Sequence, residues 1–197
     1  MALLFSYIIG LPLGILTNET AKTGVIRCAP VHWFCEVIIG AGRAIPFTIL
    51  MVLVLPFTRL LIGTGVGTTA TIVPLTIAAI PFVARTVANS LDLVENDIVE
   101  AAKIDGASAW KIAIKIKLNS RWFDIISSMG LTSVAIVSYT AISGMLGGGG
   151  LGNYAIVHGY YQYDWLSVLW STLIIIGIVC LFQWFFKLIS RLIDWRK

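Results

Sequence analysis

Charge is what this sequence has least of. Asp, Glu, Lys and Arg make up only 12% of its 197 residues, about half of the ~25% usual in soluble domains. With a mean hydropathy of +0.91, that scarcity excludes an ordinary soluble fold. Metal-binding side chains are equally few. Cys28, His32 and Cys35 form C-x3-H-x2-C, three local ligands where a structural zinc site takes four at other spacings. Cys180 sits inside an apolar run and reads as a small core residue. His32 and His158 fall on opposite sides of the membrane topology below, so they share no site. There is no Ser-His-Asp set, Walker motif, HExxH or carboxylate pair, so neither an enzyme nor a bound cofactor or metal is expected. No basic patch with interleaved aromatics is present either. Nucleic acid is therefore excluded as a partner, and the net charge of +4 reads as charged loops facing a cytoplasm. The N-terminus lacks the basic n-region and small-residue cleavage site of a secretory signal. Its opening, MALLFSYIIGLPLGIL, reads as a first membrane span that starts late, either naturally short or clipped upstream.

Long apolar runs are what remains. Five candidate spans emerge, at about residues 1–17, 37–58, 68–94, 122–146 and 166–189. Each must satisfy its own backbone hydrogen bonds in lipid, so the fold class is an all-α membrane protein in a single domain, 1–197. The first span ends at the polar run TNETAKTG. Pro46, Pro74 and Pro81 each remove a backbone donor and favour a kink. Small residues in spans three and four, among them Ala84, Ala88, Ser128 and Gly130, allow helices to approach closely. Gly10 with Gly14, and Gly144 with Gly148, are G-x-x-x-G spacings of the same kind. Arg43 and Arg85 fall near or within spans. Both are placed toward cytoplasmic ends, with snorkelling or a nearby acid such as Asp92 as their support.

Basic residues set the orientation. Lys22 and Arg27 lie between spans one and two, and Lys103, Lys111, Lys115, Lys117 and Arg121 between spans three and four. Lys187, Arg191, Arg196 and Lys197 are at the C-terminal end, whereas the loop from Gly147 to Trp165 has no Lys or Arg. Five crossings put the basic segments on one side, so the N-terminus is expected outside and the C-terminus in the cytoplasm.

The most charged segment is ENDIVEAAKIDGASAWKIAIKIKL, residues 95–118. Acids come early and lysines late, which complements a helix dipole. Asn96 or Asp97 is placed to cap a short helix over IVEAAKI, and Gly106 to end it. Ile112, Ile114, Ile116 and Leu118 alternate with Ala113, Lys115 and Lys117, the period of a strand. A lone strand has no partner among membrane helices, so an interfacial segment with its lysines toward lipid headgroups is expected instead. Gly147, Gly149 and Gly152 match G-x-G-x-x-G without the strand and βαβ helix that a dinucleotide site requires. They read as a turn.

The spacing E-A-A-x-x-x-G-x9-I-x-L is met by Glu100, Ala101, Ala102, Gly106, Ile116 and Leu118. It resembles the EAA loop of binding-protein-dependent ABC importer permeases. The segments GLPLGIL, RAIPFTILMVLVLPFTRLLIGTGVG, ATIVPLTIAAIPFVAR and GMLGGGGLGNYAIVHGY extend the resemblance, toward methionine-importer permeases, over roughly residues 5–190. The family motif closes on proline where this chain has Asn119, which bears on the turn into the fourth span.

The resemblance implies five transmembrane helices plus a short cytoplasmic coupling helix, in a bacterial inner membrane protein. It implies a permease subunit that hydrolyses nothing itself. Its partners would be a second permease copy, two ABC ATPase subunits, an extracytoplasmic substrate-binding lipoprotein and the lipid bilayer. Glu100, Ala101, Ala102, Asp105, Gly106, Ile116 and Leu118, in the coupling loop at about 95–120, would engage the ATPase. Gly63, Gly65, Gly149, Gly150, Gly152 and Tyr154 would lie in the outer loops that receive the binding protein. The cargo would be methionine or a related amino acid. An importer of another small polar substrate, or a membrane scaffold, is the alternative.

Overall fold

The computed structural model describes residues 1–193. Arg196 and Lys197, used above for orientation, lie outside the described residues. The elements are α1 (Ala2–Thr20), α2 (Ala29–Ala44), α3 (Phe47–Ile62), α4 (Thr68–Asp92), α5 (Asn96–Ile104), α6 (Ala109–Lys111), α7 (Trp122–Ser143), α8 (Gly150–Tyr154) and α9 (Trp165–Ile193). Three π-helical segments join them, Ile112–Leu118, Gly144–Gly148 and Ala155–Tyr160. No strand occurs among the described residues.

Four helices (α1, α4, α7 and α9) are long and apolar enough to cross a membrane, and α2 with α3 makes a fifth crossing if the bent pair counts as one. That pair corrects the single span expected at 37–58. Proline disfavours the α region for the residue before it, and Ile45, preceding Pro46, is extended at φ −75°, ψ 122°. The chain turns there by 111°. α2 also starts earlier than expected, with Pro30 in its first turn, where a missing N–H is harmless. The early start carries Gly42 up to Pro81, near the middle of α4, where a Cβ on Gly42 would lie 2.4 Å from the proline ring. Arg43 therefore sits beside the middle of α4 rather than at a cytoplasmic end.

α1 packs most closely on α4, and glycine makes this possible. A Cβ at Gly10 would meet Val83 at 2.8 Å, and one at Gly14 would meet the Ala84 carbonyl oxygen at 2.6 Å. The first G-x-x-x-G is thus a helix crossing, as expected of that spacing. The second is not. Gly144 abuts Asn153 and Gly148 abuts Ser143 and Thr71, so these glycines close a local hairpin around α8. Ile15, Val83, Val87, Leu91, Ala113 and Ile125 form the main apolar core between α1, α4, the π-helical segment and α7. The Tyr7 hydroxyl joins the same helices, 3.0 Å from Ser128 Oγ and 3.3 Å from Thr132 Oγ1. Phe47 at the start of α3 stacks on Tyr139 of α7.

α9 is largely apolar on every side as far as Phe182, turns more polar with Gln183, Lys187 and Arg191, and buries only Ser171 and Ser190. The helix meets α7 through a narrow stripe, where Gly130 of α7 faces the Gln183 backbone. Cys180 is exposed on its outer surface and is not a core residue. Asp164 begins the helix. Its Oδ1 accepts from the backbone N–H of Leu166 and Ser167, and its Oδ2 from the Ser167 hydroxyl. Those bonds hold the carboxyl below the ordinary aspartate range.

Candidate functional site: the loop between α4 and α7

α5 forms from a nine-residue segment with Asp97 in its first turn and Lys103 in its last, each opposite in sign to the dipole end it meets. Neither Asn96 nor Asp97 caps it. Glu95 occupies the cap position without a side-chain bond, and its carbonyl takes the Ile98 N–H. The far end closes as a Schellman motif. Ala107 N–H bonds Ala102 O and Gly106 N–H bonds Lys103 O, both at 3.0 Å, while Gly106 adopts φ +74°. Left-handed backbone of this kind is open to glycine and costly for other residues. Ser108 then caps the next turn, its hydroxyl accepting from Lys111 N–H.

The motif residues divide by face. Val99 and Ala102 of α5 turn inward and pack with Val94 and Ile112. Glu100, Ala101, Ile104, Asp105 and Gly106 are exposed together on the opposite side, with Ile104 86% accessible. Ile116 packs against the inward group and Leu118 joins the main core. The loop thus presents Glu100, Ala101, Asp105 and Gly106 outward, and uses Ala102, Ile116 and Leu118 to hold that surface in place.

The segment after α6 is neither a strand nor an interfacial ribbon. Ile112 and Ala113 are buried, Lys115 is exposed, and Lys117 and Leu118 are buried again. This five-residue repeat follows the i→i+5 bonding of a π-helix. It directs Lys117 into the protein rather than toward headgroups. Lys117 Nζ lies 2.9 Å from Glu19 Oε1 and donates to Asn18 Oδ1 at 2.8 Å. Asn18 Nδ2 in turn donates to Asp92 Oδ1 at 2.5 Å and Ala88 O at 3.3 Å. Asp92, Glu95, Val99 and Lys117 border a polar cleft of about 470 Å³ at the loop's root. Asn119, in the place of the family's proline, takes φ −65°. Proline would lock the same angle, so the turn into α7 forms without it.

Sequence reasoning missed this polar cluster. TNET was read as the end of a span, yet α1 continues through it and buries Thr17, Asn18, Glu19 and Thr20. Glu36 was missed as well. It pairs with Arg85, Nη1 to Oε1 at 2.9 Å and Nη2 to Oε2 at 2.5 Å, so α2 supplies the acid that had been sought in Asp92. The available signal was an acid among the mainly apolar residues just before a candidate span, since charges in membrane helices are nearly always paired.

At the other end of α4, the α3–α4 loop and the glycine-rich segment after α7 meet. A Cβ on Gly147 would strike Val66, and one on Gly149 would touch Thr68. Gly63 caps α3 at φ +82°, and Gly65 packs on Arg59 and Leu55. Gly149 and Gly150 turn the corner at φ +66° and +89°. Tyr154 is exposed beside His158. Gly152 differs from the other five. A Cβ there would lie 2.2 Å from Ala141 Cα, so this glycine seats α8 against α7.

This architecture, with a capped helix displayed between α4 and α7, can be set against known proteins. The sequence pattern of the binding-protein-dependent transport system inner membrane component family matches residues 10–196. The chain belongs to this family. Within the inner membrane component family, it is 45% identical to the probable D-methionine transport system permease protein MetI of Pasteurella multocida, over 93% of this chain and 84% of that one. It is 39% identical to the corresponding Vibrio cholerae protein, over 96% and 84%. A solved chain of the MetNI methionine ABC transporter in an inward-facing conformation superposes with a TM-score of 0.94 at 33% identity, covering 98% of this chain and 89% of that one. The family places the protein as a multi-pass inner membrane component of a transporter, not an enzyme.

Proposed function

We propose that this chain is the permease subunit of an ABC importer for methionine or a closely related amino acid. Two copies form the pathway, each of two ATPase subunits engages α5 of one copy, and an extracytoplasmic binding protein delivers the cargo to the outer loops. One observation carries the reading. On a chain 45% identical to a D-methionine permease, the motif residues Glu100, Ala101, Asp105 and Gly106 lie together on an exposed face whose other side is anchored in the core. A rigid helix held this way transmits displacement instead of absorbing it. The permease need only have two packings of similar energy, which nucleotide and the binding protein bias in opposite directions. Gly63, Gly65, Gly149, Gly150 and Tyr154 lie at the end of the molecule away from α5 and are assigned to the binding-protein surface.

The deciding measurement is uptake by vesicles containing the chain with its ATPase and binding-protein partners. ATP-dependent accumulation of labelled methionine, outcompeted by unlabelled methionine, is the expected result. Uptake outcompeted only by another polar solute would transfer the assignment to that cargo, and no ATP-dependent uptake would overturn it.

The N-terminus is assigned outside and the C-terminus to the cytoplasm. With Cys28, Cys35 and Cys180 replaced by alanine, a cysteine at Tyr161 is expected to react with an impermeant maleimide in intact spheroplasts. A cysteine at Lys103 is expected to react only after lysis. The opposite pattern would invert the topology.

A further inference from the structure

From the buried cluster around Lys117 we infer that this lysine is a positioning residue of coupling, the tie that passes movement of the loop to α1 and α4. The inference rests on reading residues 95–120 as the ATPase-engaging loop. It adds a member that lies outside the exposed face.

The chain itself links α5 directly to α4 and, through the π-helical segment, to α7, whereas a link from the loop to α1 needs side-chain contacts that leave the loop. Apolar contacts such as Ile116 and Leu118 can slide, because dispersion is weak per atom pair and has no direction. A charged, hydrogen-bonded contact fixes both distance and angle. Lys117 makes the one such contact of the π-helical segment among the described residues. Its side chain is 6% accessible, that of Glu19 2%. Its ammonium group donates a hydrogen bond to Asn18 and pairs by charge alone with Glu19, both at the end of α1, and through the Asn18 amide it reaches Asp92 at the end of α4. Glu19 is tied further, because its Oε2 accepts from Val25 N–H and its backbone carbonyl from Ile26 N–H. The loop's root, two membrane helices and the connection to α2 therefore share one polar junction. The π-helical register is what aims Lys117 into it, and such segments recur at functional sites.

Packing alone does not call for this arrangement. An apolar side chain of similar volume would fill the position with no desolvation cost, and replacing a buried pair by apolar groups is often neutral or stabilising. What an apolar filling loses is the fixed geometry between the three elements. That difference supplies the test. In the assembled transporter with its ATPase and binding protein, Lys117→Met combined with Glu19→Gln leaves no unpaired buried charge. The double variant is expected to accumulate and to bind the ATPase subunits as the wild type does. Its methionine uptake per ATP hydrolysed is expected to fall at least tenfold. Lys117→Arg, which keeps a charge for Glu19 and a donor for Asn18, is expected to retain most of that ratio. Wild-type uptake per ATP in the double variant overturns the inference, as does an equal loss in Lys117→Arg. If the double variant does not accumulate, Asn18→Ala carries the same test, because it removes the bridge to Asp92 and leaves the charge pair. An unchanged ratio there overturns the tie. Failure of the underlying loop reading looks different. In that case substitutions on the exposed face, Glu100→Lys with Gly106→Val, would leave uptake and ATPase binding intact.

Discussion

Gly14→Leu is expected to abolish accumulation of the folded permease. The closest atom to a Cβ at this position is the Ala84 carbonyl oxygen, at 2.6 Å, followed by Val87 Cβ at 2.7 Å. The first is backbone inside α4 and cannot turn aside as a side chain end can. Relief requires α1 to move off α4 along its whole length, since Gly10 makes the same close approach to Val83 nearer the helix start. Overpacking costs about 1–3 kcal/mol where side chains can yield, and more where they cannot. Separation would also stretch the Tyr7 hydrogen bonds to α7 and the Glu19–Lys117 pair. Gly177→Leu is the control. That glycine lies on the exposed side of α9 with no atom within 4 Å of a built Cβ. Melting of the detergent-solubilised protein and its yield from membranes check both. A loss confined to Gly14 is expected, and wild-type melting of Gly14→Leu would contradict the helix crossing.

Glu100→Lys combined with Gly106→Val is expected to reduce uptake at least tenfold while leaving the permease folded. The Glu100 side chain is exposed and makes no hydrogen bond or ion pair among the described residues, so reversing its charge affects chiefly what docks there. Gly106 has open space around it, with no atom within 4 Å of a built Cβ, but its φ is +74°. A β-branched residue in that conformation costs roughly 1–2 kcal/mol, enough to undo the Schellman closure and re-aim the end of α5. The core is untouched, because the inward contacts come from Val99 and Ala102. Uptake and ATP hydrolysis, measured together in vesicles, separate the outcomes. Hydrolysis that persists without uptake, or loss of ATPase binding, fits the coupling role. Normal uptake would remove α5 from it.

Several features were legible in the residues because they depend on local pattern. Apolar runs of about twenty residues mark helices whatever surrounds them. The residues up to Gly106 described a short helix ended by glycine in the right place, though the cap expected of Asn96 or Asp97 does not form. Gly10 and Gly14 predicted a close helix crossing, though not that α4 would be the partner. The polar cluster was not legible. Glu19 and Lys117 are almost a hundred positions apart, and neither hydropathy nor spacing says that they meet. Lys117 in particular was misplaced, because in KIAIKIKL alternation imitates a strand and only the π-helical register separates Lys115, outside, from Lys117, inside.

Residue pattern was enough for the helical membrane class and for the long apolar helices, because both follow from solvent preference, while the Glu-Ala-Ala loop was found through its resemblance to a family motif. Tertiary structure alone decided where the charges go. Pro46 permits a break, but the packing of Gly42 on Pro81 sets the height of Arg43. Glu36 is an ordinary helix acid until α2 lies beside α4 and brings it to Arg85. For the buried Glu19–Lys117 pair pairing is obligatory, since an unpaired charge in a low-dielectric interior is too costly to keep. Which partner is used depends on how the helices pack, and no single helix carries that information.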